Sequence, residues 1–215
     1  MNMSKSQIAH HLVAVCRNLY AHGFVTASDG NVSARLPNGN ILATPTSLNK
    51  GRVVERDLVE VTIDGTNVSP GRAPSTELGM HLFIYRHRQD VNAVVHAHPT
   101  YATGFAAAHI PLDQPLLPEV IIGLGPIPLA TFAITSTKEV ADSIAPYVQT
   151  SSAILLANHG VVTFGKDLDE AYFKMEKVEH AAHISFVARM LGGEKVLAGE
   201  QVQRLKDTVR KRNRS

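Results

Sequence analysis

"VNAVVHAHPT", residues 91–100, runs from an apolar, valine-rich stretch directly into two histidines and a proline. Val91, Ala93, Val94 and Val95, bounded by Asp90 and Pro99, read as a short buried strand. Successive side chains of an extended chain leave opposite faces, so His96 and His98 share one face and Ala97 takes the other. Two neutral imidazoles can therefore converge on one point. A lone histidine at a strand end needs only a hydrogen bond, whereas a pair on one face raises the question of a metal, which needs a third and a fourth ligand.

Working outward, the chain alternates strand and helix signals. Residues 6–22 carry apolar positions at helical spacing and stop at Gly23. "TASDGNVSARLPNGNILATPTS", residues 26–47, has turns at Asp29-Gly30 and Pro37-Asn38-Gly39 and reads as a hairpin, and "LVEVTIDGTNV", residues 58–68, reads as a second one turning at Asp64-Gly65. Residues 75–87 read as a helix introduced by Pro74-Ser75. The stretch 109–137 is broken by proline and glycine, holds a short strand or two, and leads into a helix from Ser136 with Glu139 at the capping-box offset. "SAILLANHG", residues 152–160, is another buried strand, ending at His159-Gly160. A long amphipathic helix follows, opened by Asp167 and Glu170 and closed by Gly192-Gly193. Strands that begin as antiparallel hairpins and then mix with helices predict an α/β sandwich with a central, mostly antiparallel mixed sheet. "GLGPIP", residues 123–128, lacks the third glycine of a dinucleotide fingerprint and has prolines where a helix would start, which excludes a Rossmann site there.

The bulk properties narrow the function. With 215 residues, 44% apolar and 19% charged, the chain suits one domain over 1–215, its core spanning about 5–193. A net charge of +2 makes no electrostatic case for nucleic acid or a membrane surface. The basic tail "RLKDTVRKRNRS", residues 204–215, is expected to be a solvated, frayed end. A single cysteine, Cys16, in an apolar helical stripe reads as a buried structural thiol in a reducing compartment. The absence of a signal-type or membrane-length apolar run leads to the expectation of a cytoplasmic protein.

Three further groups bear on the histidine pair. His159 ends an apolar strand beside a flexible glycine, and with His96 and His98 would form a three-histidine set with one position left for water or substrate. Glu77, in "PSTELGMH", could serve only helix electrostatics, and Ser75 and Thr76 could be mere caps, but a helix start with hydroxyls is also how phosphate is bound. "SDGNVS" and "ATPTS" add hydroxyls, an amide and turn backbone that could cradle an anion without any lysine.

Taken in order, "DGNVSAR", "ATPTS", "PSTELGMHLFIYR", "VNAVVHAHP" and "LLANHG" resemble the class II aldolase/adducin family, in its L-fuculose-phosphate aldolase branch, over residues 5–190. The resemblance implies that fold, a zinc-dependent lyase acting on ketose 1-phosphates, and a homotetramer. By position it implies His96, His98, His159 and Glu77 as metal ligands, with one Zn2+ per subunit or Mn2+, Co2+ or Fe2+ in its place. Glu77 would double as the catalytic acid/base, and Gly30, Asn31, Thr46, Ser47, Ser75 and Thr76 would hold the substrate, chiefly its phosphate. Two departures stand out. Ser47 occupies a position where glycine is common, and "QPLLPEVIIGLG" offers Glu119 where the fuculose enzyme has a tyrosine that assists proton transfer to the aldehyde. Glu119 is accordingly the candidate second proton donor, a role that requires burial among its apolar neighbours, in place of an ordinary solvent-facing loop position. The implied chemistry is cleavage to dihydroxyacetone phosphate and an aldehyde, the ion stabilising the enediolate and Glu77 moving the proton. Decarboxylation, epimerisation or dehydration of related sugar phosphates would use the same metal set, and a non-catalytic adducin-type scaffold would be expected to lose the ligands.

Overall fold

A computed structural model describes residues 3–212. Among these, seven strands form a single sheet in the order β3-β2-β1-β4-β7-β6-β5. Strands β1 (Asn31–Arg35), β2 (Ile41–Ala43) and β3 (Val59–Val61) form an antiparallel meander, β4 (Ala93–Ala97) is central, and β7 (Gly160–Gly165), β6 (Ala153–Leu156) and β5 (Leu129–Ala130) complete the far side. Only the β5–β6 pair is parallel. The expected α/β sandwich with a mostly antiparallel mixed sheet is what the structure has.

Both faces of the sheet are covered. Helices α1 (Lys5–Ala21), α3 (Thr100–Ala107) and α6 (Leu168–Met190) pack with Ala93, Val95 and Ala97 in one apolar layer, and α2 (Leu78–His87) and α5 (Lys138–Ile144) pack with Val94 in the other. Period-two alternation along β4 thus sends His96 to the α2 side with Val94, and that parity decides which helix can reach it. Cys16 lies fully buried in the first layer, where burial pushes its thiol up to about 12 and leaves it inert.

Several boundaries differ from the sequence expectation, each for a local reason. Helix α2 begins at Leu78 and not at residue 75, because Ser75 and Thr76 are spent in a turn closed by Leu78 N–H on the Ser75 carbonyl. Helix α5 is capped by Thr137, whose hydroxyl accepts from Glu139 N–H, and not by Ser136, which sits at φ 63. The strand before His159 stops at Leu156, and His159 lies in the tight turn to β7 behind Asn158 at φ 56. The second hairpin keeps its turn, but its return arm pairs only briefly. A short helix α4 (Pro118–Gly123), opened by its proline, occupies the broken stretch. The basic tail is not frayed over its described part. Residues 199–212 form α7 (Gly199–Arg212), with Val202, Leu205 and Val209 half-buried along one stripe and packed toward α4. Residues 213–215 of that tail lie outside the described residues. No helix among the described residues is long and apolar enough to cross a membrane.

Candidate metal centre and anion cradle

His96 and His98 leave the end of β4, and the β6–β7 turn carries His159 beside them. Their ligand nitrogens all lie within 4.8 Å of one another. His96 is fully buried, and its Nδ1 is 2.9 Å from the Val161 carbonyl. A carbonyl can only accept, so Nδ1 carries the proton and Nε2 presents a lone pair. That lone pair lies 3.1 Å from His98 Nε2. Burial, then the neighbouring His96 and His159, lowers the His98 pKa to about 3 and keeps the ring in the neutral form that binds metals. Close approach is required here. A Cβ on Gly160 would meet His98 Cδ2 at 2.5 Å and the Ala97 carbonyl at 2.7 Å, and one on Gly30 (φ +70) would meet the His96 carbonyl at 2.8 Å.

Glu77 stands opposite the histidines. It occupies the cap position of α2 without capping it, so its carboxylate is free to turn inward. Oε2 accepts from Asn31 Nδ2 at 2.9 Å and lies 3.4 Å from His96 Nε2. Oε1 is 3.1 Å from His159 Nε2 yet is buried with no partner in hydrogen-bonding alignment. Burial pushes this carboxyl up, but His96 and His159, where they carry a second proton in place of an ion, outweigh it and hold the group ionised well below the usual carboxylate range. Three converging imidazoles with a carboxylate against two of them, one of its oxygens orphaned, fit a divalent cation. Ligands about 3.3 Å apart suit an ion with ~2.0–2.1 Å bonds to nitrogen, and 3.1 and 3.4 Å are contacts seen here.

An open cleft of ≈ 360 Å³ leads away from these groups. It brings together the expected residues: Gly30, Asn31, Thr46, Ser47, Ser75, Thr76, Glu77, His98 and His159 all line it. Ser47 sits at φ 55, the left-handed region that glycine favours, so the loop keeps its tight shape with serine in place. The backbone N–H groups of Ser47 and Thr76 have no partner among the described residues. Asn31 is 3% exposed and holds Glu77, so its first task is to orient the carboxylate. Glu119 falls outside the group. It is solvent-exposed at the start of α4 and does not line the cleft, so the desolvated setting its proposed role requires is absent within one chain.

The sequence reading missed three lining residues: Lys50, Thr135 and Ser136. Ser136 donates to Thr76 Oγ1 at 2.8 Å and so ties the β5–α5 loop to the turn before α2. Also unread was the buried chain behind Glu77, where Ser33 Oγ bridges His81 Nδ1 at 2.7 Å and Tyr85 OH at 2.9 Å. Its signal was available. His81 and Tyr85 follow Glu77 at steps of four and share its helix face.

Comparison with known proteins matches residues 10–186 to the profile of the class II aldolase and adducin N-terminal domain. The chain therefore belongs to the class II aldolase and adducin family. It is 37% identical over 182 residues to an L-fuculose phosphate aldolase of Methanococcus maripaludis, covering 85% of this chain and 97% of that one. It is 35% identical over 188 residues to a 3-oxo-tetronate 4-phosphate decarboxylase of Escherichia coli, covering 85% and 88%. Among solved structures it resembles YgbL of Klebsiella pneumoniae, described as an aldolase, epimerase or decarboxylase, with a TM-score of 0.87 and 31% identity over 95% of this chain and 100% of that one. Class II aldolases are metal-dependent, and membership supports an enzyme of the lyase type.

Proposed function

We propose that this protein is a divalent-metal-dependent aldolase that cleaves a ketose 1-phosphate, such as L-fuculose 1-phosphate or a deoxy-pentulose phosphate, to dihydroxyacetone phosphate and an aldehyde. The observation that carries this reading is the three-imidazole cluster with the orphaned Glu77 oxygen beside His159, at the end of a hydroxyl-lined cleft. His96, His98 and His159, with Glu77 before substrate enters, would hold one ion per chain, Zn2+ first and Mn2+, Co2+ or Fe2+ as substitutes. When bound, the ion supplies Lewis-acid stabilisation of the charge that builds on the ketose oxygens as the carbon–carbon bond breaks.

The remaining work falls to the chain. Gly30, Thr46, Ser47, Ser75 and Thr76 bind the phosphate, whose remote binding energy orients the reacting carbons. Glu77, ionised and aimed by Asn31, moves the proton at the carbon bearing the hydroxyl. Glu119 could donate to the aldehyde oxygen only where a neighbouring subunit buries its carboxyl. A homotetramer is the proposed assembly; Phe186, Val187 and Met190 exposed on α6, with Leu191 at its C-cap, support self-association, and sedimentation at micromolar concentration tests the subunit number.

Similarity to the E. coli decarboxylase favours one second reading, loss of CO2 from a 3-oxo acid phosphate at the same site. A panel of ketose 1-phosphates, with released dihydroxyacetone phosphate coupled to a dehydrogenase, and a panel of 3-oxo acid phosphates assayed for CO2 separate the two. Dihydroxyacetone phosphate and an aldehyde from a ketose 1-phosphate support the aldolase, CO2 from a 3-oxo acid phosphate with no cleavage of any ketose 1-phosphate transfers the site to the decarboxylase, and turnover of neither overturns both.

A further inference from the structure

Lys50 is a lysine with 1% exposure, buried under the loops of the cleft. Its Nζ donates to the Ser28 and Leu48 carbonyls, both at 2.7 Å. An ammonium has three N–H donors, so one remains unspent. No carboxylate pairs with it among the described residues, and Asp29 and Glu77 act on it only from a distance. Leaving a cation buried without a counterion costs several kcal/mol, so a chain that keeps one there has a use for the charge.

The surroundings say what that use is. The cleft wall contributes two acidic side chains, Asp29 and Glu77, and Lys50 is its one lysine or arginine among the described residues. A phosphate dianion placed between the 28–31 and 45–47 loops would meet hydroxyls and N–H groups but no formal positive charge apart from Lys50. The same lysine also fixes the cradle. Its two bonds pin the 27–31 and 46–50 loops from below, beside Asn49 Nδ2, which donates to the Ala27 carbonyl at 2.7 Å. Both loops hold a non-glycine residue at positive φ, Ala27 at 49 and Ser47 at 55, a strain that persists only where the surroundings enforce it.

We propose that Lys50 is the positioning residue and counter-charge of the anion cradle, which makes the site select a phosphate dianion over a neutral or singly charged group. The missing partner of the buried ammonium is the phosphate of the substrate. This deepens the reading of the cleft as a sugar-phosphate site, but its test does not depend on which reaction the protein catalyses, because inorganic phosphate is the probe.

Thermal unfolding with increasing phosphate is measured for wild type and for Lys50→Met, which keeps the length of the side chain and removes its charge. The expected result is a phosphate-dependent rise in Tm for wild type and, measured against the variant's own Tm without phosphate, an apparent affinity at least tenfold weaker in Lys50→Met. Phosphate affinity within twofold of wild type in a folded Lys50→Met, or no phosphate binding by wild type, overturns the proposal. Should Lys50→Met fail to fold, lysine-selective 15N NMR of the wild-type protein decides. The one slowly exchanging buried ammonium shifts on adding phosphate if the proposal holds, and an unmoved signal overturns it. A purely structural lysine would leave that resonance where it is.

Discussion

Replacing Glu77 by glutamine isolates proton transfer from everything else the site does. The amide is nearly isosteric, and its oxygen can still accept from Asn31 Nδ2, now at 2.9 Å from the carboxylate. Its NH2 group takes the place of the oxygen that lies 3.1 Å from His159 Nε2 without an aligned partner, so no hydrogen bond is lost there. Fold stability should therefore change by less than about 1 kcal/mol, and three imidazoles suffice to retain the ion. What the amide cannot do is carry the proton. Loss of a positioned acid/base lowers turnover by about a hundredfold to ten-thousandfold, a barrier increase of roughly 3–5 kcal/mol. The assay is release of dihydroxyacetone phosphate from the ketose 1-phosphate that wild type cleaves best, with metal content and Tm measured on the same preparation. Wild-type turnover in Glu77→Gln would return Glu77 to a helix-start electrostatic role, and loss of metal together with activity would make it a ligand before anything else.

Gly160→Ala should lower metal affinity at least tenfold in a folded protein, because a Cβ 2.5 Å from His98 Cδ2 pushes that ring out of the set, and unchanged affinity by metal titration would contradict the close approach. Glu60 is held near 2 chiefly by its hydrogen bond to Lys5 and then to Asn40, against an ordinary value of 4.5. Its folded value is depressed, so its contribution is fully present above pH 4.5 and is lost as the pH falls through 2. Because Lys5 is solvent-exposed the contribution is about 1–2 kcal/mol. Urea unfolding should show Glu60→Gln destabilised by that amount at pH 6 and approaching wild type near pH 2, while a gap independent of pH would refute the linkage. Glu119→Gln should leave cleavage unchanged wherever no neighbouring subunit covers α4; selective slowing of full cleavage, with exchange of the dihydroxyacetone phosphate proton untouched, would assign it the aldehyde side of the reaction.

The three-histidine cluster was legible because it obeys a short-range rule. Strand alternation alone places His96 and His98 on one face, and Gly160 announces a turn that can bring His159 beside them. Hydroxyl loops were legible as turn chemistry, and hairpins with interspersed helices gave the layered architecture. Helix starts slipped by one to three residues because several residues in each candidate start could cap, and only the local backbone decides. Ser136 goes left-handed and hands the cap to Thr137. Lys50 was invisible for a different reason. In sequence it looks like any surface lysine, and its burial depends on Ser28, twenty-two residues earlier, offering a carbonyl from another loop. Glu119 shows the opposite limit, since Val120 beside it is buried while the glutamate itself faces solvent in a single chain. The tail was misread because its charges masked the Val202, Leu205 and Val209 stripe that docks α7.

The central claim is that His96, His98 and His159 hold the ion on which the chemistry depends. Elemental analysis of the purified protein, paired with the activity of the same samples, tests it most directly. Wild type should carry about one divalent ion per chain, and His159→Ala should lose both metal and turnover while its circular dichroism spectrum stays folded. Full metal occupancy in His159→Ala, or full turnover by wild-type protein stripped of metal, would contradict it.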